Sequence, residues 1–432
     1  MNLIEVFILV TSFLIFLSLR VPIAYAIGLA ALFTLLSAMP FLPSVTTLAQ
    51  RMATSLDSFT LSAIPFFILA GQIMNRGGIA VRLINFAKAI VGPLPGGLAF
   101  VNIISCMLFG AISGSAVAAA SAIGGFMNPM MEKDGYDKSF SAAVNITSAT
   151  TGLIIPPSNV LIVYSLASGG VSIAALFIAG YVPGLLLGLA LMIVALIYSI
   201  IKKYPTDKVV GLKEFFKRFI AAFPSLMLLV VVIGGIVVGI FTATEASAIA
   251  VIYTLVLGFI YKEISMQDIS PILLETVKTS SIVLLLIATS IAMSWVMSYE
   301  NIPQEISNTL LSISDNPIII LIIINLILLF VGIFMDLTPA VLIFTPIFLP
   351  IVTSLGMDPV HFGIIMIMNL CIGLCTPPVG SVLFVGCSVA NLKIQQVIKP
   401  LLPLFLAMII ILILITYFPE LTLWLPRQFD LL

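Results

Sequence analysis

Two stretches, Gly152-Leu-Ile-Ile-Pro156-Pro157-Ser158-Asn159 and Gly373-Leu-Cys-Thr376-Pro377-Pro378-Val379-Gly380, govern how this chain can fold. Each lies in the middle of a long apolar segment. A tandem proline removes two backbone donors and breaks a helix, and in lipid the freed carbonyls need partners inside the protein or in a water-filled cavity. We therefore predict two broken membrane helices whose unwound backbone lines a site.

The two stretches are copies within an internal repeat. Sliding the chain on itself by 221 residues without a gap superposes identical residues along both copies: Leu108-Phe109 on Leu329-Phe330, Ile112 on Ile333, Pro129 on Pro350, Gly135 on Gly356, Asp137 on Asp358, and both proline pairs on each other. Shared apolar composition does not explain Gly, Asp and Pro identities at a single offset. We predict that each half of the chain folds into the same set of elements.

The composition is that of a chain that folds within a lipid bilayer. Hydrophobic residues are 61% and charged residues 8% of 432 positions, and the mean hydropathy is +1.27. Apolar runs long enough to cross a hydrocarbon core recur along the whole chain and leave no room for a soluble domain. The first run, 2–19, lacks the features of a cleaved signal peptide and is interpreted as a retained helix. We predict an all-α polytopic membrane protein with about ten transmembrane spans and two re-entrant hairpins.

The positive charges orient these spans. If the basic loop at 202–218 is cytoplasmic, tracing the spans outward places 16 of the 18 basic residues on that side and leaves only Arg51 and Arg427 outside. The N-terminus is then periplasmic. Since the two copies start on opposite faces of the membrane in this topology, the repeat is predicted to be inverted, as in many secondary transporters.

The domain prediction follows from the repeat and the topology. The first repeat, 1–218, is predicted to contain scaffold helices in 1–75, an interfacial arm helix at 76–93, an inner hairpin at 97–131, a broken helix at 139–168 and a helix at 171–201. The second, 219–432, is predicted to contain scaffold helices in 219–299, an outer arm at 301–316, an outer hairpin at 317–352, a broken helix at 359–391 and a helix at 394–418.

Hairpin tips and broken helices carry the candidate site. The tips offer hydroxyls, a carboxylate and open turns, and a polar run precedes the first proline pair. Half-helix ends coordinate sodium through carbonyls and favour anions at their N-termini. The predicted substrate-binding or site-lining residues are Ser115, Asn145, Ser148, Thr150, Pro156, Pro157, Asp336, Thr338, Pro377 and Pro378. The alternative is that these kinks and hydroxyls only pack helices.

Several single residues have two readings. Asp336 either holds a cation or caps the half-helix that follows it. Glu245 follows a threonine and is either a functional carboxylate or part of a helix cap. The lone His361 is predicted to have a surface role and not to relay protons. Cys371 and Cys375 share a helix face and are predicted to pack, not to bind metal.

Six motifs in order resemble the large membrane subunit of tripartite ATP-independent periplasmic (TRAP) transporters, the DctM type. They are Arg20-Val-Pro-Ile-Ala-Tyr-Ala-Ile-Gly28, Ile64-Pro-Phe-Phe-Ile-Leu-Ala-Gly71, Gly110-Ala-Ile-Ser113-Gly-Ser115, Ile155-Pro-Pro-Ser158, Phe241-Thr-Ala-Thr-Glu245-Ala-Ser-Ala248 and Thr376-Pro-Pro-Val-Gly380. The resemblance runs from the first helix to about Pro419. One departure is Phe241-Thr-Ala-Thr-Glu245, where the family often has a proline between the threonines.

The resemblance implies a sodium-driven elevator that imports an organic acid across the bacterial inner membrane without a cofactor other than sodium. It also implies two partners, a small four-helix membrane subunit (DctQ type) and a periplasmic binding protein (DctP type). Carried over residue by residue, the sodium-binding positions are Ser113, Gly152, Ile155 and Ser158 for one ion, and Gly332, Gly373, Thr376 and Val379 for its repeat-mate.

Two other functions remain open from the sequence. The first is a stand-alone sodium/dicarboxylate symporter of the same architecture, without a binding protein. The second is an intramembrane enzyme, but no aspartate pair, Ser/His dyad or metal-ligand cluster occurs at helical spacing. The chain has no G-x-x-x-x-G-K-[ST] loop, so nothing marks it as an ATPase.

Overall fold

A computed structural model describes residues 3–206, 211–314 and 316–432. Lys208, one of the predicted basic-loop residues, lies outside this part of the chain. Helices of the first half are Leu3–Ser18 (α1), Ile23–Ala38 (α2), Phe41–Ser55 (α3), Ala63–Arg76 (α4), Ile79–Val91 (α5), Gly97–Ser113 (α6), Ala116–Lys133 (α7), Lys138–Thr151 (α8), Asn159–Ala167 (α9) and Ile173–Lys202 (α10). Those of the second are Leu212–Val237 (α11), Ala243–Ile260 (α12), Met266–Tyr299 (α13), Ile302–Ile313 (α14), Pro317–Phe334 (α15), Leu337–Ser354 (α16), Pro359–Gly373 (α17), Ser381–Val389 (α18), Ile394–Tyr417 (α19) and Glu420–Gln428 (α20).

The helix boundaries follow the 221-residue offset. α7 and α16 are equivalent at both ends, and α10 and α19 start at equivalent residues. Gly135 and Gly356 precede the broken helices and have φ values of 85° and 84°, a conformation that costs glycine little because it lacks a Cβ. The internal repeat predicted from the sequence is therefore present at the level of single residues.

The two repeats pack on each other reciprocally. Helix α4 of the first repeat packs on α12 of the second, and its equivalent α13 packs on α2. The second arm of each hairpin packs on the broken helix of the other repeat. Helix α7 packs on α18, and α16 packs on α9. Exchanged contacts of this kind are what an approximate two-fold relation between the repeats produces.

Helix pairs with short connections occupy the segments that were predicted as hairpins and broken helices. Gly114 and Ser115 join α6 to α7, and Met335 and Asp336 join α15 to α16. The breaks run over 152–158 and 374–380. In each break the peptide bond between the two prolines is cis. All secondary structure in the described residues is helical.

Seven described helices are long and apolar enough to cross a membrane, and an eighth span is added if the bent pair of α3 and the segment 59–76 counts as one. Fewer spans are counted than the predicted ten for two reasons. The broken helices are divided into halves, and α1 and α2 have 16 residues each. The seven also include both arms of the second hairpin, α15 and α16, which have 18 residues each, about 27 Å of helix.

Two helices were not predicted. α3 lies within the segment 1–75 that was predicted to contain scaffold helices, but no helix was assigned to its own residues. It forms an amphipathic helix that packs on α2 and α13, with the guanidinium of Arg51 4.8 Å from the ring centre of Trp295. α20 packs on α10 and α17 at the end of the chain. Packing against neighbouring helices stabilises α3 and α20. Their apolar patterns are too weak to predict these contacts from the sequence.

Ion pairs bring together the loops that were predicted to share the cytoplasmic side. Lys202 Nζ lies 3.4 Å from Asp137 Oδ2, and Lys138 Nζ lies 3.8 Å from Glu132 Oε2. Near the arm helix α5, Arg82 Nη2 lies 3.6 Å from Glu263 Oε1. The pairs Lys202–Asp137 and Arg82–Glu263 join distant segments that were predicted to share one face. The assignment of that face to the cytoplasm stays a prediction.

Candidate functional site

Each hairpin is held on a broken helix by two bare glycine backbones. A Cβ placed on Gly152 would lie 2.5 Å from Gly110 Cα, and a Cβ placed on Gly373 would lie 2.5 Å from Gly332 Cα. No side chain fits at either crossing. Gly332 and Gly373, predicted to share a cation, are thus in contact. In the first repeat the residue that touches Gly152 is Gly110, whereas the sequence analysis named Ser113 at the tip.

The first break is buried and contains an unsatisfied hydroxyl. Ser158 is 1% exposed, and its Oγ finds no hydrogen-bond partner among the described residues. A side chain on Gly180 of α10 would collide with the carbonyl oxygen of Ile154, and one on Gly184 would collide with the side chain of Ile155. Helix α10 therefore seals the outside of this break, and the Ser158 hydroxyl is available to a ligand that enters it.

The second break is open, unlike the first. Val379 is 37% exposed, and Pro378 is exposed as well. Thr376 Oγ1 donates to Ile372 O at 2.8 Å, which leaves its lone pairs free, and Gly380 N donates to Ile333 O at 3.1 Å. The two sequence-equivalent breaks thus have different surroundings in this conformation.

Both hairpin tips line one cavity of about 270 Å³, here called the central cavity. Its polar lining comes from the first tip, the second tip, the start of α9, and helices α4 and α13: Ser113, Ser115, Asp336, Thr338, Asn159, Gln72, Asn75 and Thr279. The structure therefore brings together four of the predicted site residues, namely Ser113, Ser115, Asp336 and Thr338.

Three helices begin at the central cavity. Ser115 Oγ caps α7 by accepting from Ala118 N at 3.2 Å, and Asp336 Oδ1 caps α16 by accepting from Leu337 N at 2.9 Å. These two caps are 221 residues apart. The third helix, α9, begins at Asn159. Helix N-termini present free N–H groups and positive partial charge, so their convergence favours an anionic ligand. Of the two readings for Asp336, the capping role is observed directly.

The first tip is closely fitted to its neighbours. Gly114 has a φ of 63°, and a Cβ on it would lie 2.7 Å from Asn159 Nδ2. A Cβ on Gly71 of α4 would lie 3.0 Å from Ser113 O. The tip therefore contacts the side chain of Asn159 at the start of α9 on one side and, through backbone atoms, helix α4 on the other.

The remaining predicted site residues do not line the central cavity. Three are buried beside the first hairpin and bond to backbone: Asn145 Nδ2 donates to Ala120 O at 2.8 Å, Ser148 Oγ to Val144 O at 2.6 Å, and Thr150 Oγ1 to Thr147 O at 3.0 Å. The four prolines Pro156, Pro157, Pro377 and Pro378 form the breaks themselves. The three polar residues therefore lie beside the first hairpin and the four prolines lie within the breaks, away from the hairpin tips.

Gln72, Asn75, Asn159 and Thr279 line the cavity but were not proposed from the sequence. Gln72 and Asn75 follow Gly71 in an otherwise apolar stretch of α4, and that polar pair was the available signal. Thr279 lies on α13, the equivalent of α4 in the second repeat. The site was predicted only in hairpins and broken helices, and the contribution of α4 and α13 was therefore not predicted.

A second cavity of about 500 Å³, here called the lateral cavity, adjoins the central one. It shares Thr279, Asp336 and Thr338 with the central cavity and extends between α2 and α13 as far as Pro22–Tyr25. Its other lining residues are mostly apolar. The second hairpin tip therefore separates a polar space from an apolar one.

The prediction of a surface role for His361 is wrong. Its side chain is 1% exposed, and its Nδ1 lies 2.7 Å from Thr422 Oγ1 in α20, a helix that was not predicted and that covers it. Glu245 forms a capping box, because Glu245 N donates to Thr242 Oγ1 and Thr242 N donates to Glu245 Oε2 at 2.8 Å. Cys371 and Cys375 are buried, and no group of three or more His, Cys, Asp or Glu suited to a metal occurs among the described residues.

Paired hairpins and broken helices that meet at a polar cavity inside an apolar bundle define a membrane transporter of the internal-repeat class. The family model described as "Tripartite ATP-independent periplasmic transporter, DctM component" matches residues 10–421. The chain belongs to this family, which makes it a multi-pass transporter subunit of the inner membrane.

Similar proteins cover nearly the whole chain. It is 58% identical to the protein YgiK of Salmonella typhimurium, with 98% of each chain covered. It is 40% identical to the C4-dicarboxylate TRAP transporter large permease protein DctM of Pseudomonas aeruginosa, with 93% and 94% covered. It is 45% identical to the isethionate TRAP transporter permease protein DctMQ of Oleidesulfovibrio alaskensis over 94% of this chain, but spans only 64% of that relative.

A solved structure has the same fold. The YdaH transporter of Alcanivorax borkumensis matches with a TM-score of 0.65 at 13% identity, over 88% of this chain and 89% of that one. At this identity the likeness supports the fold alone. The all-helical transporter fold expected from the sequence is confirmed.

Proposed function

We propose that this chain is the sodium-coupled permease of a TRAP transporter, which imports an organic acid delivered by a periplasmic binding protein. The observation that carries the proposal is the central cavity, where the tips of both repeats meet three helix N-termini and helices α4 and α13. A site shared by both repeats is the arrangement that alternating access requires.

The organic-acid substrate rests on the cavity and on two relatives. The Pseudomonas aeruginosa relative is named for C4-dicarboxylates and the Oleidesulfovibrio alaskensis relative for isethionate, and both substrates are organic anions. N–H groups at the starts of α7 and α9 are suited to an acid group, whereas the start of α16 is already capped by the Asp336 carboxylate. Hydroxyls of Ser113, Ser115 and Thr338 add neutral donors around it.

Two features support sodium as the coupling ion. Ser158 supplies a buried, unpartnered hydroxyl oxygen at the first break, beside the unwound carbonyls of Gly152 and Ile155. Thr376 supplies a hydroxyl with free lone pairs at the second break, next to the crossing of Gly332 and Gly373. Neutral oxygens at an unwound helix suit a hard monovalent cation.

The partners follow from the family and from one relative. The relative named DctMQ is longer than this chain, which spans 64% of it, so about a third of that protein lies outside the match. We infer from the family that a small membrane subunit of the DctQ type is a partner of this chain. The periplasmic binding protein then approaches the outer face, with the N-terminus of this chain on the same side.

The elevator movement is proposed from the contacts between two groups of helices. The hairpins and broken helices form the moving group, and α2, α4, α12 and α13 form the scaffold. Where the first tip meets α4, the contact is made by the bare backbone at Gly71 and the backbone of Ser113. A surface without interlocking side chains lets one group slide along the other.

Uptake by proteoliposomes containing this chain and the small subunit tests the proposal. We expect accumulation of a labelled acid only with an inward sodium gradient and the cognate binding protein. Replacing sodium with potassium serves as the control. Uptake without any binding protein indicates the stand-alone symporter instead, and uptake unaffected by sodium refutes the coupling.

A further inference from the structure

We propose that three buried polar side chains, Asn325, Asn369 and Thr416, hold the second break in the geometry that binds sodium. They lie on α15, α17 and α19 and are here called the amide clamp. The amide clamp is a set of positioning residues, which act on the cation through the helices that carry its ligands. This inference rests on the proposed function and extends it to residues outside the hairpin tips and the breaks.

The amide clamp is a continuous chain of hydrogen bonds through the interior. Asn369 Nδ2 donates to Asn325 Oδ1 at 2.7 Å, and Asn325 Nδ2 donates to Thr416 Oγ1 at 3.1 Å. Thr416 Oγ1 in turn donates to Leu412 O at 2.8 Å. Because none of the three side chains belongs to a residue more than 8% exposed, a shift of one helix would break these bonds without water to replace them. The chain therefore ties α15, α17 and α19 into one arrangement.

The amide clamp lies beside the crossing of the second hairpin and the second broken helix. Asn369 is about one helical turn before Gly373 in α17, and Asn325 is about two turns before Gly332 in α15. The two glycines meet as bare backbones, which approach closely but have no side chains to interlock. Neighbouring contacts must therefore fix the register of the two helices, and the bond between Asn325 and Asn369 does so within about 10 Å of the crossing.

The first repeat holds its break by a different contact. A Cβ on Gly180 of α10 would lie 2.2 Å from Ile154 O, and Gly184 makes a similarly close contact about one turn later. The residues 221 positions further on, in α19, are Leu401 and Phe405. Side chains of this size exclude a backbone contact of that kind, so α19 cannot seal the second break as α10 seals the first.

The amide clamp belongs to the repeat that lacks this seal. At the equivalent positions, 221 residues earlier, the first repeat has Ile104, Ser148 and Ala195. The side chains of Ile and Ala form no hydrogen bonds, and Ser148 Oγ donates to Val144 O of its own helix at 2.6 Å. The two repeats therefore hold equivalent crossings in different ways, by close backbone packing in the first and by a chain of buried hydrogen bonds in the second.

The register of these helices decides where the cation ligands of the second break lie. Gly332 belongs to α15, whereas Thr376 follows α17 in the break, so the distance between their oxygens changes when one helix slides along the other. A binding site keeps its affinity only if its ligands are held within about 0.5 Å of the productive geometry. Loss of the amide clamp should therefore weaken sodium binding at the second break and leave the first break unaffected.

The test gives the second repeat the residues that the first repeat carries, in the triple variant Asn325→Ile, Asn369→Ser and Thr416→Ala. All partners are replaced together, so no buried amide is left unpaired. Sodium-dependent thermal unfolding of the purified full-length permease is the measurement. We expect the sodium concentration for half-maximal stabilisation to rise about 2- to 10-fold, the range set by one buried hydrogen bond.

Two other variants guard this result. Asn102→Leu is the control and should keep the wild-type sodium dependence, because Asn102 is buried in the other hairpin arm, α6, and bonds there only to sulfur atoms. If the triple variant does not fold, Asn325→Ile alone decides the question. In that variant Asn369 Nδ2 keeps its bond to Ile365 O and Thr416 Oγ1 keeps its bond to a backbone carbonyl.

Two backgrounds separate positioning of the cation from a general effect on stability. In Thr376→Ala, which removes a hydroxyl of the second break, the clamp substitutions should cause little further loss of sodium affinity, because both changes act on the same site. In Ser158→Ala, which alters the first break, the loss should be as large as in the wild type. Equal losses in the two backgrounds would show that the amide clamp only stabilises the bundle, and would overturn the inference.

An unchanged sodium dependence in the clamp variant also overturns the inference, whatever its unfolding temperature without sodium. A wild-type sodium dependence in Thr376→Ala does so as well, since the second break then holds no sodium to be positioned, while sodium-driven uptake would still support the proposed function. Absence of any sodium effect on the stability and the uptake of the wild type refutes the proposed function itself.

Discussion

Replacement of Gly152 by alanine is expected to weaken sodium binding at the first break. The added Cβ would lie 2.5 Å from Gly110 Cα and 2.7 Å from Gly110 C, whereas carbon atoms pack at about 3.5–4.0 Å. Both neighbours are backbone atoms, so the hairpin must move away from the broken helix by about 1 Å. Overpacking of this kind costs about 1–3 kcal/mol.

If the substitution destabilises the sodium-bound state by this free energy relative to the sodium-free state, the affinity for sodium decreases by about 5- to 150-fold. Sodium-dependent thermal unfolding of the purified permease measures the change. Gly125→Ala is the matched control, because Gly125 lies within α7 of the same hairpin and a Cβ there meets nothing within 4 Å. A Gly152→Ala variant that unfolds and binds sodium like Gly125→Ala would refute the reasoning.

Further changes separate binding, movement and stability. Thr376→Ala should raise the sodium concentration needed for half-maximal uptake with little loss of folding, whereas Thr376→Ser should not, and equal sodium dependence of the two would argue against that site. Gly71→Val should slow uptake while sodium binding persists, because its side chain presses on the backbone of Ser113; normal uptake would exclude this contact as part of the sliding surface. His361→Ala removes the ring partner of the buried Thr422 hydroxyl, which keeps its bond to Pro419 O, and should cost about 0.5–1.5 kcal/mol of stability, seen as a lower unfolding temperature, while an unchanged temperature would show that the contact contributes nothing.

Much of the architecture could be predicted from the sequence because proline and glycine act locally. The proline pairs at 156–157 and 377–378 break their helices wherever the rest of the chain lies. The 221-residue offset then predicted equivalent elements, and the structure places α7 and α16 at that offset to the residue. Hairpin tips were also predictable, since Ser115 and Asp336 are residue types that cap helices.

The remainder depended on contacts between distant segments. Gln72 and Thr279 face the central cavity because α4 and α13 pack beside the tips. The polar pair Gln72 and Asn75 distinguishes α4 locally, but nothing in the sequence of either helix relates it to the tips. His361 is buried because α20 lies over it, and α20 has too weak a pattern to be predicted. The burial of the first break and the exposure of the second likewise come from packing, since both breaks carry the same Gly-Leu and proline pair at equivalent positions.

The most direct test of the central claim is to measure sodium and acid fluxes together in the same proteoliposomes, with the small subunit and the binding protein present. If both repeats build one coupled site, Gly152→Ala in the first repeat and Gly373→Ala in the second should each reduce both fluxes in parallel, while Gly125→Ala reduces neither. Acid uptake that continues at the wild-type rate after sodium flux is lost in either variant would contradict the account.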